Sequence, residues 1–309
     1  MRIAAIDLGT NTFNLLVADA DANNYKEVFR DKRAVKLGHG GITKRKISDE
    51  AIERGILAIK DYIAVIAPLG IDKILAVATS AIRSTENGLL FTKRIKKEFN
   101  LDVRVIGGDE EAELIYSGIR RAVPLDYENV LMLDIGGGSN EFVIGNNSRI
   151  SWKQSFPLGI ARLLELFAPS NPLKENEIEN VLNYIEKELK PLVDAIKTFP
   201  VKTLIGSSGS FDTIANICNI ESKNKPLTHE TTFYKFQKPA VLKLCEKIIH
   251  STTEERIIMP GMDLMRVEMI PLSALFIKYI LSITNVTNIK QSAYAIKEGI
   301  IFSYSETEH

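Results

Sequence analysis

The sequence predicts an α/β protein with two similar domains and a cleft between them, and three observations point to this class. The chain has 309 residues, a length that suggests two domains. A strand–turn–strand unit with an acidic residue at its turn occurs twice, once at the N-terminus and once near the middle. After each copy, strand patterns alternate with helical patterns, as they do in α/β domains.

The second copy of this unit occupies residues 130–145, with the sequence VLMLDIGGGSNEFVIG. Two short apolar runs around a glycine turn predict a β-hairpin. Glycines let the backbone approach a ligand, and successive N–H groups form a concavity that binds anions. The carboxylates of Asp134 and Glu141 flank the turn, and hard cations such as Mg2+ share oxygen ligands of this kind with substrate phosphate. The stretch predicts a cradle for a metal-bound phosphate, although alone it is equally typical of a tight turn.

The first copy, AIDLGTNTFNLLVA at residues 5–18, favours the phosphate interpretation because it aligns with the second copy without a gap. Asp7 then falls on Asp134, and the glycine turn that begins at Gly9 falls on the turn that begins at Gly136. Two such hairpins that face each other could grip one phosphate group from both sides. That arrangement requires two similar domains with a cleft between them.

Apolar periodicity and turn residues predict the remaining elements. In the first half we expect a strand at 27–37, a helix capped by Ser48 that runs to Pro68, a strand at 74–78, a helix at 89–99, a strand at 103–106 and a helix at 109–121. In the second half we expect strands at 130–133, 141–144, 149–156, 203–205 and 283–290, and helices at 160–167, 175–197, from 211, 239–250, 263–281 and 293–304. Residues 219–238 are predicted as a loop, and Pro271 as a kink or break.

Composition excludes several classes of function. Lys plus Arg and Asp plus Glu both number 39, so the chain has no general basic field for nucleic acid. No secretory signal precedes the first strand, and no apolar run approaches the ~20 residues that span a bilayer, so we expect a cytoplasmic protein. Cys218 and Cys245 are expected to be buried free thiols, and the four histidines show no metal-ligand spacing.

Three further segments place polar residues after predicted strands. The turn GSSGS at residues 206–210 leads into a helix, where N–H groups can bind an anion; helix capping by Ser210 is the ordinary alternative. ATSAIRSTEN at residues 78–87 puts Arg83 where a ligand crevice would lie, although a solvated arginine is the commoner case. GGDEEAEL at residues 107–114 is by default an acidic helix N-terminus.

Together, these motifs resemble the Ppx/GppA phosphatases, which are exopolyphosphatases and guanosine pentaphosphate phosphohydrolases of the actin-like ATPase superfamily. The matching motifs, in order, are DLGTNTFNLLVAD, ATSAIRSTEN, GGDEEAELIYSGI, LDIGGGSNEF and GSSGS, and they span nearly the whole chain. The resemblance implies an α/β fold of two actin-like (ribonuclease-H-like) domains with mixed sheets around a central cleft. We expect the first domain at 1–124 with a returning C-terminal helix at 292–309, and the second at 125–291.

The resemblance also implies roles for individual residues. Glu111 matches the residue that activates water, and Asp7, Asp134 and Glu141 match acids near a metal ion, Mg2+ or Mn2+. The expected phosphate-binding set consists of turn residues and one arginine: Gly9, Thr10, Asn11, Thr12, Arg83, Gly136, Gly137, Gly138, Ser139, Gly206, Ser207, Ser208 and Gly209. PGMDLMRVEMI resembles a further family segment through Gly261, Arg266 and Glu268, whereas Lys297 stands where the family usually has arginine.

The predicted helix at 109–121 also helps to identify the general base, because its apolar face indicates which glutamates are buried. Apolar residues such as Ile115 and Ile119 define one face, and Glu111 lies near that face while Glu110 and Glu113 project away. A partly buried carboxylate has a raised pKa and is a better base near neutrality. Helix capping or an ion pair with a neighbouring arginine is the alternative role for Glu111.

The sequence therefore predicts a hydrolase that releases terminal orthophosphate from inorganic polyphosphate, with guanosine pentaphosphate as the alternative substrate. A phosphotransferase of the same superfold and a non-catalytic sensor of phosphorylated alarmones stay open, because a fold does not fix its chemistry. The expected partners are these phosphate compounds, with no nucleic acid and no membrane, and a homodimer is left open.

Overall fold

The computed structural model describes residues 1–21, 25–223, 227, 228 and 230–307. Its first half forms a mixed sheet in the order β3-β2-β1-β4-β5. The elements of this half are β1 (Arg2–Leu8), β2 (Thr12–Ala20), β3 (Tyr25–Ala34), α1 (Asp49–Ile66), β4 (Lys73–Ala78), α2 (Ser80–Arg83), α3 (Gly88–Phe99), β5 (Val103–Val105) and α4 (Gly108–Ala122). Ser48 caps α1 as predicted, because its side chain accepts a hydrogen bond from the N–H of Ala51.

The second half forms a six-stranded mixed sheet in the order β10-β11-β9-β6-β7-β8. Its elements are β6 (Val130–Ile135), β7 (Asn140–Gly145), β8 (Ile150–Phe156), α5 (Ile160–Phe167), α6 (Glu175–Glu188), α7 (Lys190–Thr198), β9 (Thr203–Ser207), α8 (Ser208–Glu221), β10 (Phe233–Phe236), α9 (Lys238–Ile249), α10 (Thr253–Ile257), α11 (Ile270–Ile283), β11 (Asn288–Ser292) and α12 (Ile296–Thr307). Within the described residues, no helix is both long and apolar enough to cross a membrane.

The two sheets repeat one topology. Strands β8-β7-β6-β9-β11 of the second sheet follow the order and directions of β3-β2-β1-β4-β5, and β10 is added at the edge. The register repeats as well, since Asp7 pairs with Asn14 across β1 and β2, and Asp134 pairs with Glu141 across β6 and β7. This confirms the internal repeat and the prediction of two mixed sheets.

Both central strands are buried on both faces, and alternate residues enter different cores. In β1, Ile6 and Leu8 pack with α1 and α3, whereas Ile3 and Ala5 pack with α12. In β6, Leu131 and its alternate neighbours join the large core of the second half, whereas Met132 packs against α4. Asp7 and Asp134 lie near the ends of these two strands, so the tightly packed centre of each sheet holds their backbones in place.

Helices α4 and α12 lie between the two sheets and contact each other closely. Side chains of α4 pack on β6, β7 and β8, and side chains of α12 pack on β1 and β2. A Cβ at Gly299 would collide with the carbonyl of Leu114, and one at Gly118 would collide with the carbonyl of Ala295. The two glycines therefore allow the backbones to approach where a side chain would not fit. The C-terminal helix thus returns to the first sheet, and the domain boundaries at 124 and 291 stay a prediction.

Two of the predicted helices have different bounds in the structure, and a proline lies at each difference. The helix predicted at 175–197 is divided into α6 and α7, because Pro191 occupies the second position of α7 and supplies no N–H to the preceding turn. The helix predicted at 263–281 begins only at Ile270, and Pro271 occupies its second position. In both places proline starts a helix.

The prediction of a loop at 219–238 is wrong for Phe233–Phe236, which forms β10 and pairs antiparallel with β11. This strand is short and has no clear alternation of its own, so its pairing with a segment far along the chain determines its structure. Part of the predicted loop, residues 224–226 and 229, lies outside the described residues. The thiols of Cys218 and Cys245 are buried and free, as predicted.

Candidate active site

The two repeated glycine turns face each other across a cleft between the sheets. A Cβ at Gly137 would lie 3.2 Å from Cβ of Thr10 and 3.3 Å from Cβ of Asn11. A Cβ at Gly138 would lie 2.5 Å from Oγ1 of Thr10 and 2.6 Å from Oγ of Ser80. These glycines therefore permit a close approach that any side chain would obstruct. The turn residues that line the cleft are Gly9, Thr10, Asn11, Thr12, Gly136, Gly137, Gly138 and Ser139.

Two buried carboxylates form the floor of the cleft. Nδ2 of Asn14 donates a hydrogen bond to Oδ2 of Asp7 across 2.9 Å. The hydroxyls of Ser207 and Ser208 donate to Oδ2 of Asp134 across 2.7 Å and 2.6 Å. Burial raises the pKa of Asp7 to about 6 and also raises the pKa of Asp134, because a desolvated carboxylate disfavours its charged form. The repeat thus brings two equivalent acids to one place.

Glu111 lies in the first turn of α4 and points into the same cleft. Its side chain is 10% exposed, and Nη1 of Arg83 donates a hydrogen bond to its Oε2 across 2.9 Å. Burial raises the pKa of Glu111 well above its usual range, the negative charge of Glu141 raises it further, and Arg83 opposes both effects. The predicted helix phase is confirmed, because Glu110 and Glu113 point outward and pair with Arg104 and Lys153.

Glu141 does not line the cleft but lies beneath the glycine turn and is 2% exposed. The hydroxyls of Ser139 and Ser155 donate to its Oε1 across 2.6 Å and 2.7 Å. Burial is the main cause that raises the pKa of Glu141 to about 7. No three acids, histidines or cysteines converge into a metal-binding cluster anywhere in the described part of the chain. The assignment of Asp7, Asp134 and Glu141 as acids near a metal ion stays a prediction.

The third turn, GSSGS, contributes less to the cleft than the sequence suggested. Ser208 lines the cleft, whereas Ser207 is fully buried behind Asp134. A Cβ at Gly206 would collide with the ring of Phe211, and a Cβ at Gly209 would collide with the guanidinium of Arg266. Gly206 is therefore required for packing, and Ser207 and Gly209 support other groups rather than the cleft surface.

The predicted site lacks seven of the residues that line the cleft. Four are polar, Asn14, Thr79, Ser80 and Arg266, and three are apolar, Ile115, Ile135 and Ile296. Asn14 could have been found, since it is the repeat partner of Glu141. Nε of Arg266 and Nδ2 of Asn11 are buried donors without a hydrogen-bond acceptor among the described residues. Buried donors are nearly always satisfied in folded proteins, so these two call for an acceptor that the chain itself does not supply.

These features define the class of the protein: two mixed sheets with helices around a central cleft that gathers acids, glycine turns and unsatisfied donors. The chain belongs to the Ppx/GppA phosphatase family, whose family model matches residues 16–308.

Individual relatives agree with this assignment. The crystal structure of an exopolyphosphatase from Cytophaga hutchinsonii is 38% identical, with a TM-score of 0.96 over 99% of this chain and 98% of the other. The crystal structure of the Aquifex aeolicus family member is 26% identical, with a TM-score of 0.83 over 100% of this chain and 99% of the other.

A curated relative, the bifunctional 3-dehydroquinate synthase/phosphatase of Fusobacterium nucleatum, is 34% identical over 226 residues, which cover 69% of this chain. The match spans 34% of the length of that relative, that is, about one third of it.

Proposed function

We propose that this protein is a phosphoanhydride hydrolase that releases terminal orthophosphate from inorganic polyphosphate by attack of water. The observation that carries the proposal is the position of Glu111, a buried carboxylate oriented by Arg83 toward the two glycine turns. Membership of a phosphatase family supports the hydrolase class, and the similarity to an exopolyphosphatase supports the choice of polyphosphate.

In this proposal the cleft first binds the terminal phosphate group, and hydrolysis follows. The backbone N–H groups of the turns at 9–12 and 136–139 surround the phosphate oxygens. Arg266 and Asn11 supply buried donors for which the described residues offer no acceptor. Phosphoryl transfer depends mainly on such positioning and on neutralising the negative charge of the transferred group.

Glu111 acts as the base in the proposed reaction. The oxygen of a water molecule forms a bond to the terminal phosphorus while the bridging P–O bond breaks on the opposite side. One proton of that water passes to the carboxylate of Glu111, and the shortened chain leaves with the bonding electron pair. A carboxylate with a raised pKa accepts a proton better than an ordinary one, provided that it is ionised at the working pH.

The residues of the cleft fit a divalent cation that is shared with the substrate. Asp7 and Asp134 both line the cleft, and Mg2+ commonly takes one or two protein carboxylates while water and phosphate complete its ligands. The ion would be held by Asp7 and Asp134, with Glu141 supporting the turn from below. When bound, it supplies positive charge that neutralises the phosphate oxygens.

One observation favours guanosine pentaphosphate as a second candidate substrate. A cavity of about 220 Å3 shares Thr10 and Asn11 with the cleft. Its apolar wall consists of Ala161, Leu164, Met265 and Met269, with Lys36 and His39 among its polar residues. An apolar cavity with a few polar groups beside a phosphate site suits a nucleobase.

An orthophosphate-release assay on polyphosphate, guanosine pentaphosphate and ATP tests the proposal. We expect orthophosphate release from polyphosphate without any added phosphoryl acceptor. Release from guanosine pentaphosphate would identify the second candidate substrate. Binding of these compounds without any turnover would contradict the proposal and favour a sensor. Phosphate transfer that depends on an added acceptor would favour a phosphotransferase.

A further inference from the structure

A second arginine lies beside Arg83 at the open side of the cleft. Arg162 lies in the first turn of α5, and its Nε donates to the carbonyl of Gly138 across 3.0 Å. Its other contacts are longer, 3.5 Å to the carbonyl of Ile42 and 3.4 Å to Oγ of Ser84. All three acceptors are neutral oxygens. Among the residues that the structure describes, no carboxylate lies at hydrogen-bond distance from this guanidinium.

Arg83 and Arg162 line one cavity of about 540 Å3, and we call this pair the arginine fork. Burial lowers the pKa of Arg162, interactions with Tyr184 and Glu165 raise it, and the positive charge of Arg83 makes a smaller contribution that lowers it. Arg83 already forms an ion pair with Glu111, so its charge in this cavity is partly compensated. An anion between the two guanidinium groups would offset the remaining repulsion, and guanidinium groups bind phosphate through paired N–H donors.

The cavity connects with the cleft, because Ser80 and Ser139 line both. Ser84 and Ser155 also line the cavity, and Asp109 is the one acidic residue among its described lining residues. The volume lies within the range of ligand pockets. A ligand that fills both spaces would pass from the glycine turns to the arginine fork without leaving a polar surface.

We propose that the arginine fork is a second anion subsite, which binds the phosphate group adjacent to the one held by the glycine turns. This deepens the proposed function and rests on it, because it takes the turns as the site of the terminal phosphate. The subsite selects compounds with at least two linked phosphates over single phosphate groups. Arg162 is then a substrate-binding residue.

Binding of two inorganic anions to the purified protein by calorimetry tests this role. Orthophosphate fills one subsite, whereas imidodiphosphate, which resists hydrolysis, fills two. We expect Arg162→Gln to weaken imidodiphosphate binding by ~10-fold or more, the typical effect of losing a hydrogen bond to a charged group. Orthophosphate binding should change by less than about twofold, and Arg162→Lys should retain part of the imidodiphosphate affinity.

The matched control is Arg54→Gln. Arg54 also donates only to carbonyl oxygens, those of Val35 and Lys36, but it lies on α1 away from the cavity. The Arg54→Gln variant should bind orthophosphate and imidodiphosphate with unchanged affinity. Equal weakening of both anions by Arg162→Gln would overturn the subsite, because it would mean that Arg162 only supports the turn; no weakening of either would overturn it too. Selective binding without hydrolysis of polyphosphate would reject the proposed function alone, and hydrolysis without selective binding would reject the subsite alone.

Discussion

Nη1 of Arg83 lies 2.9 Å from Oε2 of Glu111, and the same nitrogen donates to the carbonyl of Ile106 across 2.9 Å. The arginine is therefore anchored to the backbone that precedes α4 while it orients the carboxylate. Burial raises the pKa of Glu111, and the positive charge of Arg83 lowers it. This single contact thus influences both the direction and the protonation of the proposed base.

Replacement of Arg83 should move the pH dependence of hydrolysis. The base must be ionised to accept a proton, so activity is lost on the acidic side of the pKa of Glu111. Arg83→Gln removes the charge that lowers this pKa, so the acidic limb of kcat/KM against pH should move to higher pH. Because Glu111 and Glu141 interact, the limb reports the pair rather than one group.

The control for this shift is Arg104→Gln, which breaks the outward ion pair with Glu110. It should leave the limb in place. An acidic limb that stays or moves to lower pH in Arg83→Gln would contradict the proposed influence of Arg83 on the base.

Substitution of Gly137 tests whether the glycine turns hold the phosphate. A Cβ at this position would lie 3.2 Å from Cβ of Thr10 and 3.4 Å from the backbone nitrogen of Asn11. Gly137→Val adds further methyl groups in the same space, so it should push the turns apart and reduce turnover by at least ~100-fold, the scale of a lost catalytic contact. Steady-state kinetics and a thermal melt measure this together. Normal turnover in a folded variant would place the phosphate elsewhere.

Metal dependence should follow Asp134 rather than Glu141. Exhaustive chelation should abolish hydrolysis, and added Mg2+ should restore it. Asp134→Asn removes a charged ligand and should raise the Mg2+ concentration needed for half-maximal activity. Glu141→Gln keeps an acceptor for the hydroxyls of Ser139 and Ser155 and should leave that concentration nearly unchanged. Full activity after chelation, or a larger metal effect of Glu141→Gln, would contradict the proposed ligands.

The parts of the fold that the sequence predicted are those with a local or repeated signal. The repeat relates Asp7 to Asp134, and the structure keeps this relation in the strand register. The apolar face of α4 selected Glu111 over its two neighbours, and burial follows that phase. In each case the pattern depends on spacing along one element, which is fixed by helix or strand geometry.

The parts that were missed depend on distant partners. Gly206 belongs to a glycine-rich turn like the others, but it makes room for the ring of Phe211 rather than for a ligand. Glu141 has the right residue type for a metal, but two serine hydroxyls hold it beneath the turn. Arg266 reaches the cleft from a turn segment, outside any helix or strand, between α10 and α11. The burial and the contacts of these residues depend on tertiary packing, which leaves no periodic pattern in the sequence.

The most direct test of the account is orthophosphate release from polyphosphate by Glu111→Gln and Glu110→Gln, measured side by side with polyphosphate binding. The two residues are neighbours on one helix, but only Glu111 is buried in the cleft. We expect Glu111→Gln to bind polyphosphate and to lose turnover by ~100-fold or more, which is typical of a lost general base. Glu110→Gln should hydrolyse polyphosphate like the unmodified protein. Normal turnover by Glu111→Gln, or loss of turnover in Glu110→Gln alone, would contradict the assignment of the base and the mechanism built on it.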